Sequence, residues 1–349
     1  ALRDLLLRAP PRIEGLPRGA PIPVGADPVP DARAAVLDLQ DSVLAIQGPP
    51  GTGKTHTAAE CAAAVLAMKE RVAVSGPSHA SIVQLMAKIL ERARGLGLTV
   101  SAAKVGGRGQ AELPEGIRAA RRIEGSAQLV GGTAWAFAKE DIERFDYLFV
   151  DEAGQVSLAN LVAMAPAADN IVLVGDQMQL SQPVKGTHPG VSGRSALDVR
   201  LGGEATVPPE RGIFLSRTRR LCGPLCRFLS ETMYEGRLER AEDVPERTLM
   251  HATGVELPPR GVSFLPVHHE GCTRSSEAEA DAIHRLIGQL LRSRDASEPA
   301  TPRLRADDIM IVAPYNAQVR LLKRKLPDVR VGTVDKFQGQ EAKVVIASL

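Results

Sequence analysis

Gly48-Pro49-Pro50-Gly51-Thr52-Gly53-Lys54-Thr55 has the form G-x-x-x-x-G-K-T. The apolar run Val43-Leu44-Ala45-Ile46 precedes it, and an alanine-rich, helix-forming stretch from Thr57 to Met68 follows. Strand, glycine loop, helix is the frame in which such a loop wraps a nucleoside triphosphate. Glycines let backbone N–H groups curl around the β-phosphate with no Cβ in the way. The lysine reaches the β- and γ-phosphates, and the threonine hydroxyl takes a place on Mg²⁺. Gly48, Pro49, Pro50, Gly51, Thr52, Gly53, Lys54 and Thr55 are therefore the expected triphosphate site, with Thr55 on the metal.

Outward from this loop, short apolar runs alternate with helical ones. Strands are predicted at 43–47, 72–75, 147–150 and 171–174, and helices at 54–69, 78–93 and 157–165. That alternation predicts an α/β fold with a parallel sheet and helices on both faces. A second set begins near Gly212, with strands predicted at 262–267, 309–313, 329–331 and 343–347. Ser276-Glu277-Ala278-Glu279 has capping-box form ahead of Ile283, Leu286, Ile287, Leu290 and Leu291, which share one helical face. Residues 1–30, punctuated by Pro10, Pro11, Pro17, Pro21, Pro23, Pro28 and Pro30, read as a linker or irregular arm. Residues 31–205 and 206–349 then read as two domains. The stretch from Gly95 to Gly125, containing Gly106-Gly107-Arg108-Gly109, reads as a mobile, solvated excursion.

Composition narrows the partners. A chain of 349 residues suits two domains, and 43 basic against 41 acidic residues leave no bulk charge to attract a polyanion. Aromatics are 3% of the chain, with Trp135 the one tryptophan, which argues against a binder built mainly on base stacking. Cys61, Cys222, Cys226 and Cys272 form no C-x-x-C pair, and no secretory segment or membrane-spanning apolar run is present. Reduced thiols in the cytoplasm are the expectation. Cys222, Cys226, His268, His269 and Cys272 lack any standard metal-ligand spacing and read as ordinary thiols and surface histidines. The chain starts at Ala1 and stops in Val344-Val345-Ile346-Ala347-Ser348-Leu349, so both ends look cut from something longer.

Two further strand ends carry chemistry. Tyr147-Leu148-Phe149-Val150 runs into Asp151-Glu152. An aspartate there can hold Mg²⁺, and the next glutamate can orient and deprotonate a water, the mark of hydrolysis. Glu152 and Lys54 are expected at the ends of adjacent strands. Ile171-Val172-Leu173-Val174 leads to Gly175-Asp176-Gln177-Met178-Gln179-Leu180, delivering polar side chains to the same sheet edge.

DEAGQ at 151–155, GDQMQLSQP at 175–183 and VGTVDKFQGQE at 331–341 resemble the 5′-to-3′ branch of superfamily 1 helicases, which includes RNA-surveillance and DNA-end-processing enzymes. The N-terminal segment also resembles a bacterial group with a RecB-like nuclease fused ahead of the helicase. The resemblance implies two RecA-like P-loop lobes, ATP and Mg²⁺ in the cleft between them, and a single strand as partner, with DNA favoured over RNA. By position it makes Asp151 the metal holder, Glu152 the catalytic base and Gln179 the coupler of the γ-phosphate to nucleic acid. Residues 215–238 would open the second lobe, with Arg220 as an arginine finger. Arg219 stands where an aromatic usually stacks on adenine, and Glu341 is the ribose contact. Ser78, His79, Thr133, Asn316, Gln318 and Thr333 would track the strand's backbone. The upstream glutamine motif is not evident near Asp31 to Gln40, and the last family motif, with a second cleft arginine, is absent. The alternative is a nucleotide-controlled clamp that does not unwind.

Overall fold

A computed structural model describes the chain apart from residues 108–112, 140, 181–185, 187, 254–255, 299 and 338. The elements are α1 (Leu2–Leu6), α2 (Pro28–Leu37), β1 (Val43–Gln47), α3 (Lys54–Ala67), β2 (Val72–Ser75), α4 (His79–Gly95), β3 (Ala102–Val105), β4 (Ile117–Ala120), β5 (Leu129–Gly131), α5 (Ala134–Phe137), β6 (Phe145–Val150), α6 (Leu158–Met164), β7 (Ala168–Gly175), α7 (Ala196–Leu201), β8 (Gly212–Phe214), β9 (Arg217–Thr218), α8 (Gly223–Met233) and β10 (Glu239–Arg240). After these come β11 (Leu249–Met250), α9 (Glu277–Leu290), β12 (Arg294–Asp295), β13 (Ile309–Val312), α10 (Asn316–Lys325), β14 (Arg330–Gly332), α11 (Val334–Phe337) and β15 (Val344–Ala347). Ala1–Leu221 with Cys226–Ala241 forms one unit, and Cys222–Leu225 with Glu242–Leu349 the other.

The first unit is built on an eight-stranded sheet in the order β4-β3-β5-β2-β6-β7-β1-β8, each neighbour parallel to the next. Successive residues of a strand point to opposite faces, and β1 shows it. Val43 and Ala45 join a core with Leu161 and Met164 of α6 and Leu197 of α7. Leu44 and Ile46 join one with Cys61 and Val65 of α3 and Leu85 and Met86 of α4. Helices on both faces make the central strands predominantly apolar. The second unit has a three-stranded parallel sheet, β14-β13-β15, covered by α9 and α10 through Ile283, Ile287, Leu321 and Leu322. The molecule is thus α/β, each unit built on a parallel sheet.

Four expectations differ from the structure. Gly95 to Gly125 is no excursion, because it supplies β3 and β4 to the sheet; Arg108 and Gly109 lie outside the described residues. Residues 1–30 are folded. Leu5 is fully buried, and Pro28 and Pro30 start α2 behind an Asp27 cap that accepts from Val29 N–H. Proline is tolerated in a helix's first turn because its missing N–H would have no partner there. Residues 206–221 and 226–241 pack with the first unit and not the second, since β8 pairs with β1 and Tyr234 and Leu238 enter its core. The run at 262–267 forms no strand, and Val262 and Phe264 are exposed.

One buried cation fastens the N-terminal arm. Arg200, fully buried on α7, donates to Ala9 O at 2.6 Å, Asp4 O at 3.3 Å and Val43 O at 3.1 Å. Asp4, also buried, accepts from Ser42 Oγ at 2.9 Å and pairs with Arg12 and Arg18. Arg200→Met keeps the volume but leaves three carbonyl oxygens short of a donor. It should lower stability by about 2 kcal/mol, read as a drop in the urea midpoint with m unchanged. An unchanged midpoint would show that the arm is not held this way.

Candidate functional site

The phosphate loop links β1 to α3. Gly51 and Gly53 adopt φ of +78° and +87°, a left-handed backbone that only glycine takes at little cost. Space forbids a side chain as well, because a Cβ on Gly51 would lie 2.3 Å from Arg220 Cβ. Lys54 Nζ donates across the loop to Gly48 O at 2.8 Å, and Thr52 Oγ1 to Pro49 O at 2.8 Å. Gly48 N–H in turn donates to Gly175 O at 3.0 Å, fixing the loop to the end of β7. On the other side, Thr218 Oγ1 donates to Pro50 O at 2.7 Å and Arg219 N–H to Gly51 O at 2.9 Å. Arg219 and Arg220 therefore sit on the loop as part of the first unit, whereas the sequence placed Arg220 at the opening of the second lobe.

Asp151 and Glu152 follow β6. Lys54 and Glu152 are not on adjacent strands as expected, because β7 runs between β1 and β6. The three strand ends are nonetheless locked together. A Cβ on Gly154 would come within 2.3 Å of Asp176 O, and one on Gly175 within 2.7 Å of Ala153 N. Glu152 holds φ +48°, strained for a residue with a side chain, and its N–H donates to Asp151 Oδ1 at 2.9 Å. Burial, reinforced by the neighbouring Glu152 charge, pushes the Asp151 carboxyl up to about 7, with Lys54 opposing. Two carboxylates with one nearby ammonium form a site short of positive charge. Its hard carboxylate oxygens suit Mg²⁺.

After β7, Asp176 is buried and receives three bonds: from Gln179 Nε2 at 2.8 Å, Tyr234 OH at 2.7 Å and Met178 N–H at 3.2 Å. Gln179 is thus tied into the first unit's core by way of Asp176. Sequence reasoning passed over Tyr234 and Thr218, whose partners lie far off along the chain. Ser181 to Pro183 lie outside the described residues.

The other half of this sheet edge, at β2, β5 and β3, carries the first-unit residues expected to meet nucleic acid. Ser78 caps α4, accepting from Ser81 N–H at 3.1 Å, and His79 opens that helix. Thr133 precedes α5, and Trp135 beside it is 81% exposed. Lys104 was missed; it is buried on β3 with Nζ 2.7 Å from His79 Nδ1. A lone lysine in Ala102-Ala103-Lys104-Val105 ahead of two glycines was its signal.

In the second unit, Asn316 and Tyr315 are exposed at the start of α10. Gln318 is not available for a strand. It is 3% exposed, accepting from Ser276 N–H at 2.9 Å and donating to Ser348 Oγ at 3.1 Å, so it ties α9 to the end of β15. Thr333 accepts from Lys336 N–H ahead of the short helix α11, and Glu341 O accepts from Arg330 at 3.1 Å. Gln338 lies outside the described residues. Among the described residues no three His, Cys, Asp or Glu side chains gather as a metal cluster, and no helix is long and apolar enough to cross a membrane. The four cysteines are free thiols.

A parallel sheet with a phosphate loop after one strand and an acidic pair after another defines a P-loop nucleoside triphosphatase lobe. Two family models, each described as an AAA domain, match residues 30–190 and 199–349. DNA polymerase alpha-associated DNA helicase A of Schizosaccharomyces pombe is 27% identical, over 87% of this chain and 55% of its own length. A DNA replication ATP-dependent helicase/nuclease of Arabidopsis thaliana is 26% identical over 91% of this chain and 25% of its own. The ATP-dependent helicase NAM7 of Saccharomyces cerevisiae is 25% identical over 89% and 37%. Over most of its length the chain is similar to these helicases. It spans about half or less of their length.

The raised Asp151 carboxyl sets a pH dependence. Its folded-state value lies above the ordinary 3.8. The stability it contributes is therefore full below that value and lost as pH climbs through about 7. Metal-free protein should lose thermal stability from about pH 4 to about pH 7, while the rise in Tm given by Mg²⁺ and ADP grows over the same interval. Asp151→Asn should flatten both trends. Equal Mg²⁺-ADP shifts at the two pH values would contradict this.

Proposed function

We propose that this chain is the motor of an ATP-driven helicase or translocase that moves 5′-to-3′ on single strands, with DNA favoured over RNA. The observation that carries this reading is the division of one sheet edge. β6, β7, β1 and β8 lead into phosphate chemistry, while β2 and β5 beside them lead to Ser78, His79 and Thr133, polar residues suited to a nucleic-acid backbone. The 5′-to-3′ direction is inferred from the motif resemblance, and DNA from the relatives named as DNA helicases. The helicase/nuclease relative also favours a nuclease as partner.

In this reading Lys54 leaves Gly48 O for the β- and γ-phosphates, and backbone N–H groups of the loop enclose the β-phosphate. Thr55 and Asp151 would hold Mg²⁺, which when bound offsets charge on the phosphate oxygens. Glu152 orients a water and takes its proton. Arg220, seated against Gly51, meets charge building on the transferred phosphoryl group. Gln179 senses the γ-phosphate from its seat on Asp176. Arg219 lies against the base and Glu341 against the ribose. In the second unit, Asn316 and Thr333 contact the strand.

Glu152→Gln should bind nucleotide normally and lose turnover by ~10² or more, whereas Lys54→Ala should weaken binding and turnover together. Arg220→Ala should cut turnover by on the order of 10³ with ADP affinity almost unchanged. Parent-rate hydrolysis by the glutamine variant would refute the base assignment. Equal losses of ADP binding in Arg220→Ala would make that residue structural.

Single strands should stimulate ATP hydrolysis, DNA more than RNA, and a duplex with a 5′ tail should be unwound while one with a 3′ tail is not. Affinity should fall with salt at a log–log slope of about −0.7 per neutralised phosphate, and Trp135 fluorescence should change as the strand binds. Strand-stimulated hydrolysis without unwinding of either duplex would favour the clamp.

A further inference from the structure

Lys104 is only 4% exposed, yet its ammonium is fully provided for. Nζ lies 2.7 Å from His79 Nδ1, 2.9 Å from Val105 O and 3.2 Å from Gly106 O. Carbonyl oxygens only accept, so Nζ donates to both of them. An ammonium has three protons, and the third is satisfied if His79 Nδ1 accepts it. A ring nitrogen that accepts carries no proton, which leaves the proton of the neutral imidazole on Nε2. The surroundings support the same state. Ideal Cβ atoms on Gly106 and Gly107 would lie 3.8 and 3.7 Å from ring carbons, so the glycine turn after β3 approaches the ring closely. Among the described residues, Lys104 is the charged group that faces the ring; Ser78, Gly106 and Gly107 beside it are uncharged. Partial burial and the Lys104 charge both hold the imidazolium form below its ordinary range.

We propose that Lys104 is a positioning residue that pins His79 as a neutral ring with its proton on Nε2, offering a strand's phosphate or sugar oxygen an uncharged N–H donor at a fixed place. The pinning stands on geometry alone, and its use rests on the reading of His79 as a strand contact. An uncharged donor brings direction without a titrating charge. Strand affinity at this point is therefore constant across the range where a free histidine would switch, and His79 adds nothing to the salt slope.

The test needs the whole chain labelled with ¹⁵N at its seven histidines, with the His79 signals assigned by their loss in His79→Gln. In the parent, Nδ1 should be unprotonated and Nε2 protonated throughout about pH 5.5 to 8. Lys104→Met removes the ammonium and should let the ring take up a proton at higher pH than in the parent. Lys104→Gln, which keeps an N–H donor without the charge, should retain the tautomer. Binding of an oligothymidylate without nucleotide should be flat with pH in the parent. In Lys104→Met it should become several-fold tighter once the released ring takes up its proton, with the salt slope steeper by about 0.7. A protonated Nδ1 in the parent, or equal titration in parent and Lys104→Met, overturns the pinning, and the parent spectrum decides this even if a variant misfolds. A pinned ring with parent-like binding in both Lys104→Met and His79→Gln overturns its use on the strand and, with it, the strand-contact reading of His79.

Discussion

In a sheet whose eight strands all run the same way, both faces lie under helices, and the carboxyl edge is where polar side chains can collect. The chain obeys this closely. Asp151, Asp176 and the phosphate loop all lie just past a strand end, while the central strands behind them are apolar. Bringing those ends within reach of one another demands near-contact of backbones, which is why Gly154 and Gly175 cannot carry a side chain. The phosphate site is thus a product of strand packing, with loop residues chosen for the space that packing leaves.

The same edge stores polarity under tension. Asp151 is buried beside a second carboxylate, and Glu152 keeps a backbone conformation that favours glycine. Both features cost stability in the metal-free protein. They persist because β6 is paired on both sides, by β2 and by β7, and cannot relax. Asp176 follows the opposite strategy, sharing its charge among Gln179, Tyr234 and a backbone N–H. One carboxylate is left wanting a cation, while the other is satisfied within the protein.

What could be read from the sequence was local. β1 and β2 coincide with their predicted runs, because β-branched and apolar residues between turn signals encode a buried strand. β3 and β4 escaped notice because Ala102-Ala103 and Ala119-Ala120 are poor strand formers, held in place by their neighbours. The arm was misjudged on proline count, when its fate was set by Leu5, Asp4 and an arginine nearly two hundred positions away. Gln318 failed for the reverse reason. Its motif matched, but nothing local reveals that a side chain six residues past the end of β13 turns inward to Ser276 and Ser348. Of the phosphate site, the residues were legible and their mutual bonds were not.

The Arg200 guanidinium also has a mechanical meaning. It grips Ala9 with one nitrogen and Val43 with the other, and Val43 is the first residue of the strand whose far end is the phosphate loop. A pull on the arm is therefore delivered along β1 as a shear against β7 and β8. The force reaches Gly48 through five residues of extended backbone, with no flexible joint between.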